Sequence, residues 1–383
     1  MYEKLFLDTV IDRFYVKMRH RLEPYNLINS IHESVNTVFT YQNIPKTYVK
    51  ERIFKILQYQ DQLSKLMAIP KLEQRSQEWY DIRKNLITAS DFAQALGDGK
   101  FGTQKQLLIK KSGYEKDTFD NNMPALKWGV KYEPVAIEAY AKKNNVTMHE
   151  FGLLIHPQPS MKWFGASPDS ISELGIMVEI KCPWRRKITG EVPLQYFYQV
   201  QGQLDVCGLN ECDFLECEFI EYDNENEFCR HFDDNPNERG IIIEYQDDKQ
   251  QTQYSYSPFK YCDNCPKTIE WYKNTLTEMQ SSNIVKTYFW QLHTYSVVRI
   301  YKDEVFLKDK FPQLHQIWQK IMDYKNDKGL YEKEIIGSIV QQPITLNIDI
   351  DTSVKSEYMK KKETKNNKEI QLTGWAFVSD DED

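Results

Sequence analysis

Ser167-Pro168-Asp169, a short run from Ser170 to Gly175, and then Met177-Val178-Glu179-Ile180-Lys181 form the stretch on which the reading of this chain turns. Successive side chains of a β-strand point to opposite faces, so Glu179 and Lys181, two apart, project from one face of the same strand. Met177, Val178 and Ile180 around them are the residues of a buried strand. Asp169 stands ten residues before Glu179, which suits the end of the preceding strand, with Ser170 to Gly175 read as the turn. Two carboxylates and one ammonium would then gather beside an apolar sheet.

Buried like charges repel and are costly to desolvate, so such a group needs a counter-charge. A hard divalent ion such as Mg²⁺ supplies one: it takes one or two carboxylates, keeps several waters and admits phosphate oxygens. It lowers the pKa of a bound water and neutralises charge growing on a phosphate. Lys181 could position that water or stabilise the developing charge. A Glu-x-Lys pattern on an exposed hairpin is the ordinary alternative for these three residues alone.

Outward from this stretch, Trp128–Lys143 has the spacing of an amphipathic helix, with Val135, Ala136, Ala139 and Tyr140 on one face and Glu133 as a possible third acid. After Pro193, Gln195–Cys207 reads as a helix ended by Gly208; its Gln199 and Gln203 are four apart and share a face. An amide there could orient a nucleophile or hold a phosphate oxygen, or simply face water. Upstream, Arg83 follows Trp79 by four, and Ser90 opens the helix Asp91–Leu96 that Gly97 closes. Arg83 offers bidentate phosphate binding or an ion pair with Asp81 or Glu78; Ser90 offers an anion-binding helix start or a plain cap. Strand-like segments lie at Phe151–His156, Trp163–Pro168, Ile176–Lys181 and Asp213–Tyr222. This order of elements predicts an α/β (α+β mixed sheet) core.

Residues 1–70 read as a helical N-terminal extension of three short helices punctuated by Pro24 and Pro45 and closed at Ile69-Pro70. The core is expected over 71–325, with an acidic hairpin at 223–260 whose strands are Gly240–Tyr245 and Gln253–Tyr256. Lys267–Met279 and Gln313–Tyr324 look helical, and Tyr295–Ile300 looks like a strand. Residues 326–383 form a C-terminal extension, expected to be mostly disordered after about 348 because of its Lys, Asn and Asp content.

Apolar residues make 41% and charged residues 27% of the 383, the balance of a globular protein. No run approaches the roughly 18 apolar residues of a membrane span, and no secretory signal is expected. Seven scattered cysteines in a chain of this size predict free thiols and a reducing, intracellular compartment. The net charge of −7 hides a local imbalance, since 211–260 hold 4 basic against 14 acidic residues. Net charge therefore does not exclude a polyanionic partner, and the basic run Arg185-Arg186-Lys187 could contact phosphate or face solvent.

Six ordered motifs carry a resemblance: Arg75 to Arg83, Ile87-Thr88-Ala89-Ser90, Trp128 to Glu133, Ser167-Pro168-Asp169, Glu179-Ile180-Lys181-Cys182-Pro183 and Tyr198-Gln199-Val200-Gln201. Together they resemble the phage lambda-type exonuclease, or YqaJ viral recombinase, family of the PD-(D/E)XK nuclease superfamily, including members from large DNA viruses. The resemblance spans roughly 73–222 and continues more weakly to about 325. It implies a restriction-endonuclease-like core and a deoxyribonuclease that digests one strand of duplex DNA from its 5′ end. Asp169, Glu179 and the Ile180 carbonyl would ligate Mg²⁺ or Mn²⁺, with Glu133 as a further acid near the metal. Lys181 would activate water, Gln199 would assist at the scissile phosphate, and Arg83 and Ser90 would bind the terminal 5′-phosphate. Duplex DNA ends, a single-strand annealing protein and a ring-shaped homotrimer are the implied partners, with no membrane; for a viral protein the site of action would be host cytoplasm or nucleus. Ser170 departs from the family, which often has Gly after this Asp.

A structure-specific endonuclease of the same superfamily and a non-catalytic DNA-end-binding module are the alternatives. Cys262-x-x-Cys265 tempts a zinc or iron–sulfur reading, but a closed zinc site needs four ligands, and between this pair and Cys229 and His231, which could complete one, roughly 30 residues of hairpin intervene. These thiols and Cys182 are expected to be structural.

Overall fold

The chain opens with α1 (Tyr2–Met18), α2 (Pro24–Val38) and α3 (Lys46–Met67). Pro24 sits at the first turn of α2 and Pro45 at the N-cap of α3, positions where a missing N–H costs nothing. In this computed structural model residues 2–72, 76–100, 102–114, 123–230, 237–279 and 283–337 are described. The expected disordered tail, Arg75 and His231 fall outside them. One stripe of the helical layer, including Ile11, Ile31, Val35, Ile53 and Ile56, packs on Leu174 and Ile176 of the hairpin ahead of Glu179. Leu63 and Leu66 at the end of α3 enter the main core.

Charge also crosses this junction. Arg52 of α3 donates to Asp12 at 2.8 and 2.7 Å and to Glu211 at 2.7 and 2.8 Å. Arg299 donates to Asp213 at 2.7 and 2.9 Å and to Glu211 at 3.2 Å. All five side chains are buried.

Next come α4 (Gln77–Lys84), β1 (Ile87–Thr88), a 3-10 turn at Ala89–Asp91, α5 (Phe92–Leu96), α6 (Gln104–Ser112) and α7 (Pro124–Asn144). Ser76 caps α4 by accepting from the Trp79 N–H, and Gly97 ends α5 at φ 83°. The strands β2 (Met148–His149), β3 (Leu154–Ile155), β4 (Phe164–Ala166), β5 (Ser170–Ser172) and β6 (Met177–Lys181) follow. Then come α8 (Leu194–Cys207), β7 (Glu211–Tyr222), α9 (Glu225–Arg230), β8 (Arg239–Gln246), β9 (Thr252–Tyr256), α10 (Cys265–Glu278), β10 (Asn283–Tyr301), α11 (Glu304–Asn326) and α12 (Lys328–Tyr331).

Among the described residues a seven-stranded sheet runs β2-β5-β6-β7-β10-β8-β9, and a small sheet runs β1-β4-β3. The large sheet is antiparallel except for β6 beside β7. The mixed α/β core is as expected, but several boundaries are not. Ser170 is not a turn residue: it pairs with Val178 and starts β5. The Phe151–His156 strand shrinks to Leu154–Ile155, which pairs with Gly165–Ala166 of β4. The 223–260 hairpin is joined to the main sheet, because β10 extends to 19 residues and pairs with β8. The last long helix starts well before Gln313: Asp303 caps it at Val305 and Phe306, and it runs through Pro312. Leu307, Leu314 and Ile321, seven apart, are buried in the core, and that stripe outweighs the one backbone bond Pro312 removes. No helix of the described residues is long and apolar enough to cross a membrane.

Candidate active site

β5 stops pairing with β6 at the Ser170–Val178 pair, which leaves the Ile180 N–H on that edge needing an acceptor. Asp169, immediately before β5, supplies it: its Oδ2 accepts from Ile180 N at 2.7 Å. The short hairpin thus draws Asp169 to the strand that carries Glu179 and Lys181. Met177, Val178, Glu179 and Ile180 are all buried, with Glu179 at 0% exposure. Parallel register sets Glu179 beside Phe214 and Lys181 beside Glu216.

The Glu179 carboxylate is held on both oxygens. Oε1 accepts from Lys181 Nζ at 2.5 Å and from Gln199 Nε2 at 2.7 Å. Oε2 accepts from Gln203 Nε2 at 2.7 Å. Lys181 Nζ also lies 4.8 Å from the centre of the Tyr196 ring, a cation–π contact. Burial, then the neighbouring Glu179 and Glu133 carboxylates, push the Asp169 carboxyl well above the ordinary range. Burial alone would lower Lys181, but the Glu179 and Asp169 carboxylates overcome it and raise its ammonium. Both the third acid and the ammonium expected from the sequence therefore act electrically on Asp169.

Glu133 is presented by α7. Just before it, Lys131 Nζ pairs with Glu221 of β7 and sits 3.4 Å from the Tyr288 ring centre. Tyr132 donates to Glu221 at 2.8 Å and stacks on Phe219 at 4.3 Å. These contacts fix α7 against the sheet.

α8 delivers the two amides, and Gly202 lets it do so. A Cβ at Gly202 would meet Phe164 Cζ at 2.9 Å and Ala89 Cβ and Phe92 Cδ1 at 3.2 Å. On the far side of this close contact lies the second expected half-site. Arg83 Nη2 donates to Ser90 Oγ at 3.3 Å, and the guanidinium lies 4.3 Å from the Trp79 ring centre. Burial lowers Arg83, with Asp91 opposing. Asp91 is itself tied down, accepting from Thr88 N at 3.0 Å, Thr88 Oγ1 at 2.7 Å and Lys111 Nζ at 2.9 Å. Burial would raise the Asp91 carboxyl, but Lys111, Arg83 and the Thr88 donors hold it far below its usual value.

In the basic run, Arg186 Nη2 donates to the buried Glu216 of β7 at 2.5 Å, while Arg185 lies over Trp184 and both Arg185 and Lys187 are exposed. Cys182 packs beside the site, its thiol pushed well up by burial. Cys262 Sγ accepts from Lys142 Nζ at 3.0 Å, and Cys265 Sγ lies 3.1 Å from Cys229 Sγ. Sequence reasoning gave no role of their own to Gln203, Tyr196 or Glu216. The four-residue spacing from Gln199 signalled Gln203; the other two follow only from the packing of α8 and the β6–β7 register.

The oxygen donors of Asp169, Glu133, Glu179 and the Ile180 backbone suit a hard cation, and the excess of acid over base around Asp169 calls for one. Among the described residues, no three His, Cys, Asp or Glu side chains stand grouped as a ready metal cage. Glu179 is turned to Lys181, Gln199 and Gln203, so the acids act on one another electrostatically without converging on a point. The donor chemistry fits a metal that would draw these carboxylates inward.

Residues 78–210 match the model of the YqaJ-like viral recombinase domain. An uncharacterized protein of Acanthamoeba polyphaga mimivirus is 27% identical over 350 residues, covering 78% of this chain and 62% of that protein. A protein of African swine fever virus is 23% identical over 318 residues, covering 66% of this chain and 87% of its own length. An alkaline exonuclease of Laribacter hongkongensis superposes with a TM-score of 0.41 at 19% identity, over 69% of this chain and all of that one. The chain thus spans less than two thirds of its mimivirus relative. Asp169, Glu179 and Gln199 on one side of α8, and Arg83 and Ser90 on the other, all fall inside the matched span: the chain is similar there to the YqaJ-like viral recombinase domain, and over most of its length to proteins of large DNA viruses.

Proposed function

We propose that the protein is a metal-dependent deoxyribonuclease that digests one strand of duplex DNA from its 5′ end in viral-type recombination. The carrying observation is Glu179, a fully buried carboxylate clasped by Lys181, Gln199 and Gln203 beside Asp169. Unlike the arginine-paired acids of the Arg52–Arg299 network, Asp169 is set against the Glu179 and Glu133 carboxylates, an arrangement of the kind that gathers at functional sites. Asp169, Glu179, Glu133 and the Ile180 carbonyl would hold Mg²⁺ or Mn²⁺, which when bound supplies Lewis acidity and an acidified water. Lys181 stays protonated beside two carboxylates and stabilises charge on the phosphate. Gln199 can turn its amide from Glu179 to the scissile phosphate or the incoming water. Arg83 and Ser90 take the terminal 5′-phosphate, with Arg83 braced on Trp79; the site between them measures out the nucleotide to be released. Arg185 and Lys187 would meet the backbone of the duplex. Assembly as a ring trimer and cooperation with an annealing protein extend the proposal to partners.

The test is digestion of linear duplexes labelled at either end, with and without a 5′-phosphate. Mg²⁺-dependent release of nucleotides from the 5′-labelled end is expected, and closed circular DNA stays intact. Glu179→Ala should lose at least roughly 10²–10³-fold in rate. Digestion by Glu179→Ala at the wild-type rate would refute the assignment, and cutting of the circle would convert it to an endonuclease.

A further inference from the structure

Gln203 is 1% exposed and its side chain reaches two elements at once. Nε2 donates to Glu179 Oε2 on β6 at 2.7 Å and, at the longer distance of 3.5 Å, to the Ser167 carbonyl at the end of the strand that leads to Asp169. Its Oε1 is buried with no hydrogen-bond partner, and so is the Ser167 hydroxyl. An unsatisfied buried acceptor costs roughly 1–3 kcal/mol. A leucine of similar volume would avoid that cost only by taking the Nε2 donor away from the buried Glu179 Oε2, so the amide at this position is explained by its bond to Glu179.

We propose that Gln203 is a positioning residue: it spans the two acid-bearing segments and sets the orientation of the Glu179 carboxylate relative to Asp169. Lys181 and Gln199 share Oε1, whereas Gln203 alone, among these three, grips Oε2. If Oε1 is released to a cation or to a moving Lys181, the Gln203 bond still fixes the carboxylate plane. The second Nε2 hydrogen ties that plane to the Asp169 turn. The placement of Gln203 follows from the Gly202 contact, which holds α8 against Ala89, Phe92 and Phe164. Partners of this kind, one step removed from a metal, typically change affinity by about 10–100-fold when deleted.

This inference rests on the nuclease reading for its functional consequence but not for its geometry. Gln203→Leu removes both donors together with the orphaned acceptor, and Gln203→Met serves if the leucine variant folds poorly. Three measurements decide it: the melting temperature, Mn²⁺ binding by calorimetry without DNA, and a crystal structure of the variant. The expected result is Mn²⁺ binding weakened about tenfold or more among folded molecules and a Glu179 carboxylate rotated away from its wild-type orientation, with the melting temperature lowered by the loss of the bond to the buried Oε2. A purely structural role would lower the melting temperature alike but leave affinity and the Glu179 orientation unchanged among folded molecules. If the variant binds Mn²⁺ as tightly as wild type with Glu179 unmoved, the positioning role is overturned while the nuclease reading stands. If wild-type protein neither binds Mn²⁺ nor digests DNA, the nuclease reading falls, and the orientation of Glu179 in the variant crystal alone decides for or against Gln203.

Discussion

Replacing Arg52 with Met tests whether the N-terminal helices are a removable layer or part of the core. Arg52 is 2% exposed and makes two hydrogen bonds to each of Asp12 and Glu211, whose side chains are 7% and 0% exposed. Methionine fills the volume but takes two hydrogen bonds from each carboxylate. Glu211 keeps Arg299 at 3.2 Å, the Tyr59 hydroxyl at 3.2 Å and Lys55 at 3.7 Å, while Asp12 keeps Arg299 at 3.8 Å, which already serves Asp213. Breaking a buried pair typically costs about 3–5 kcal/mol. Protonating an ordinary carboxyl at pH 7 costs about 4 kcal/mol; Asp12, which burial already raises in spite of Arg52 and Arg299, is the acid that would protonate first and trim the loss. Urea melts at pH 7 should therefore show a loss of about 3–5 kcal/mol, against less than about 0.5 kcal/mol for Lys65→Ala, which breaks an exposed pair with Asp61. The sign of the pH dependence follows. In wild type burial would raise the Glu211 carboxyl, but Arg52 and Arg299 hold it below its ordinary value. Its contribution is present above the normal carboxylate range and is lost as pH falls through it. Without Arg52 the two acids rise, so the variant recovers roughly 1–3 kcal/mol relative to wild type between pH 7 and pH 5. A loss below about 1 kcal/mol, or one that does not shrink at pH 5, would refute the claim that this network binds the helices to β7 and β10.

Gly202→Ala should force α8 away from Phe164, Ala89 and Phe92, with a stability cost of about 1–3 kcal/mol and a loss of nuclease rate of up to about 10²-fold through displacement of Gln199 and Gln203; unchanged melting and unchanged rate would show that the close contact yields freely. Asp91→Asn should leave the buried Lys111 with the Arg83 and Leu86 carbonyls but no counter-charge from Asp91, and cost about 3–5 kcal/mol at pH 7. Because the Asp91 carboxyl is held below its unfolded value, its contribution is present above the ordinary carboxylate range and fades as pH falls. The difference between variant and wild type in acid melts should therefore narrow below about pH 4, and a constant gap would contradict the assignment.

The acid pair was legible because strand periodicity is local: Glu179 and Lys181 two apart on an apolar strand could face only one way. The three N-terminal helices and α7 were legible for the same reason, through their apolar spacing and prolines. What resisted reading depends on partners distant in sequence. Nothing near Ser170 announces that it will pair with Val178 rather than turn, and nothing in Tyr295–Ile300 announces that β10 must begin at Asn283 to serve both β7 and β8. Arg52 on a helix reads as a solvated charge until Asp12 and Glu211 close around it. Arg186 reads as a basic-run residue until the β6–β7 register places Glu216 beneath it.

The Gln-Val-Gln of α8 shows why a motif must be resolved residue by residue. At 100° per residue, Gln199 and Gln203 lie 40° apart while Gln201 points to the opposite side. Gln201 is fully buried there, donating to the Tyr301 carbonyl at 2.9 Å and accepting from Asp303 N at 2.7 Å. Those bonds fasten α8 to the junction of β10 and α11, where Asp303 also caps α11. One helix thus has three anchored faces: amides toward Glu179, Gly202 toward the Arg83–Ser90 side, and Gln201 toward the far end of the sheet. A shift of α8 cannot disturb one without the others. The spacing between the Asp169–Glu179 group and the Arg83–Ser90 pair is then a rigid dimension of the fold, which the proposed reading of a bound strand end and a cut at a fixed distance would need.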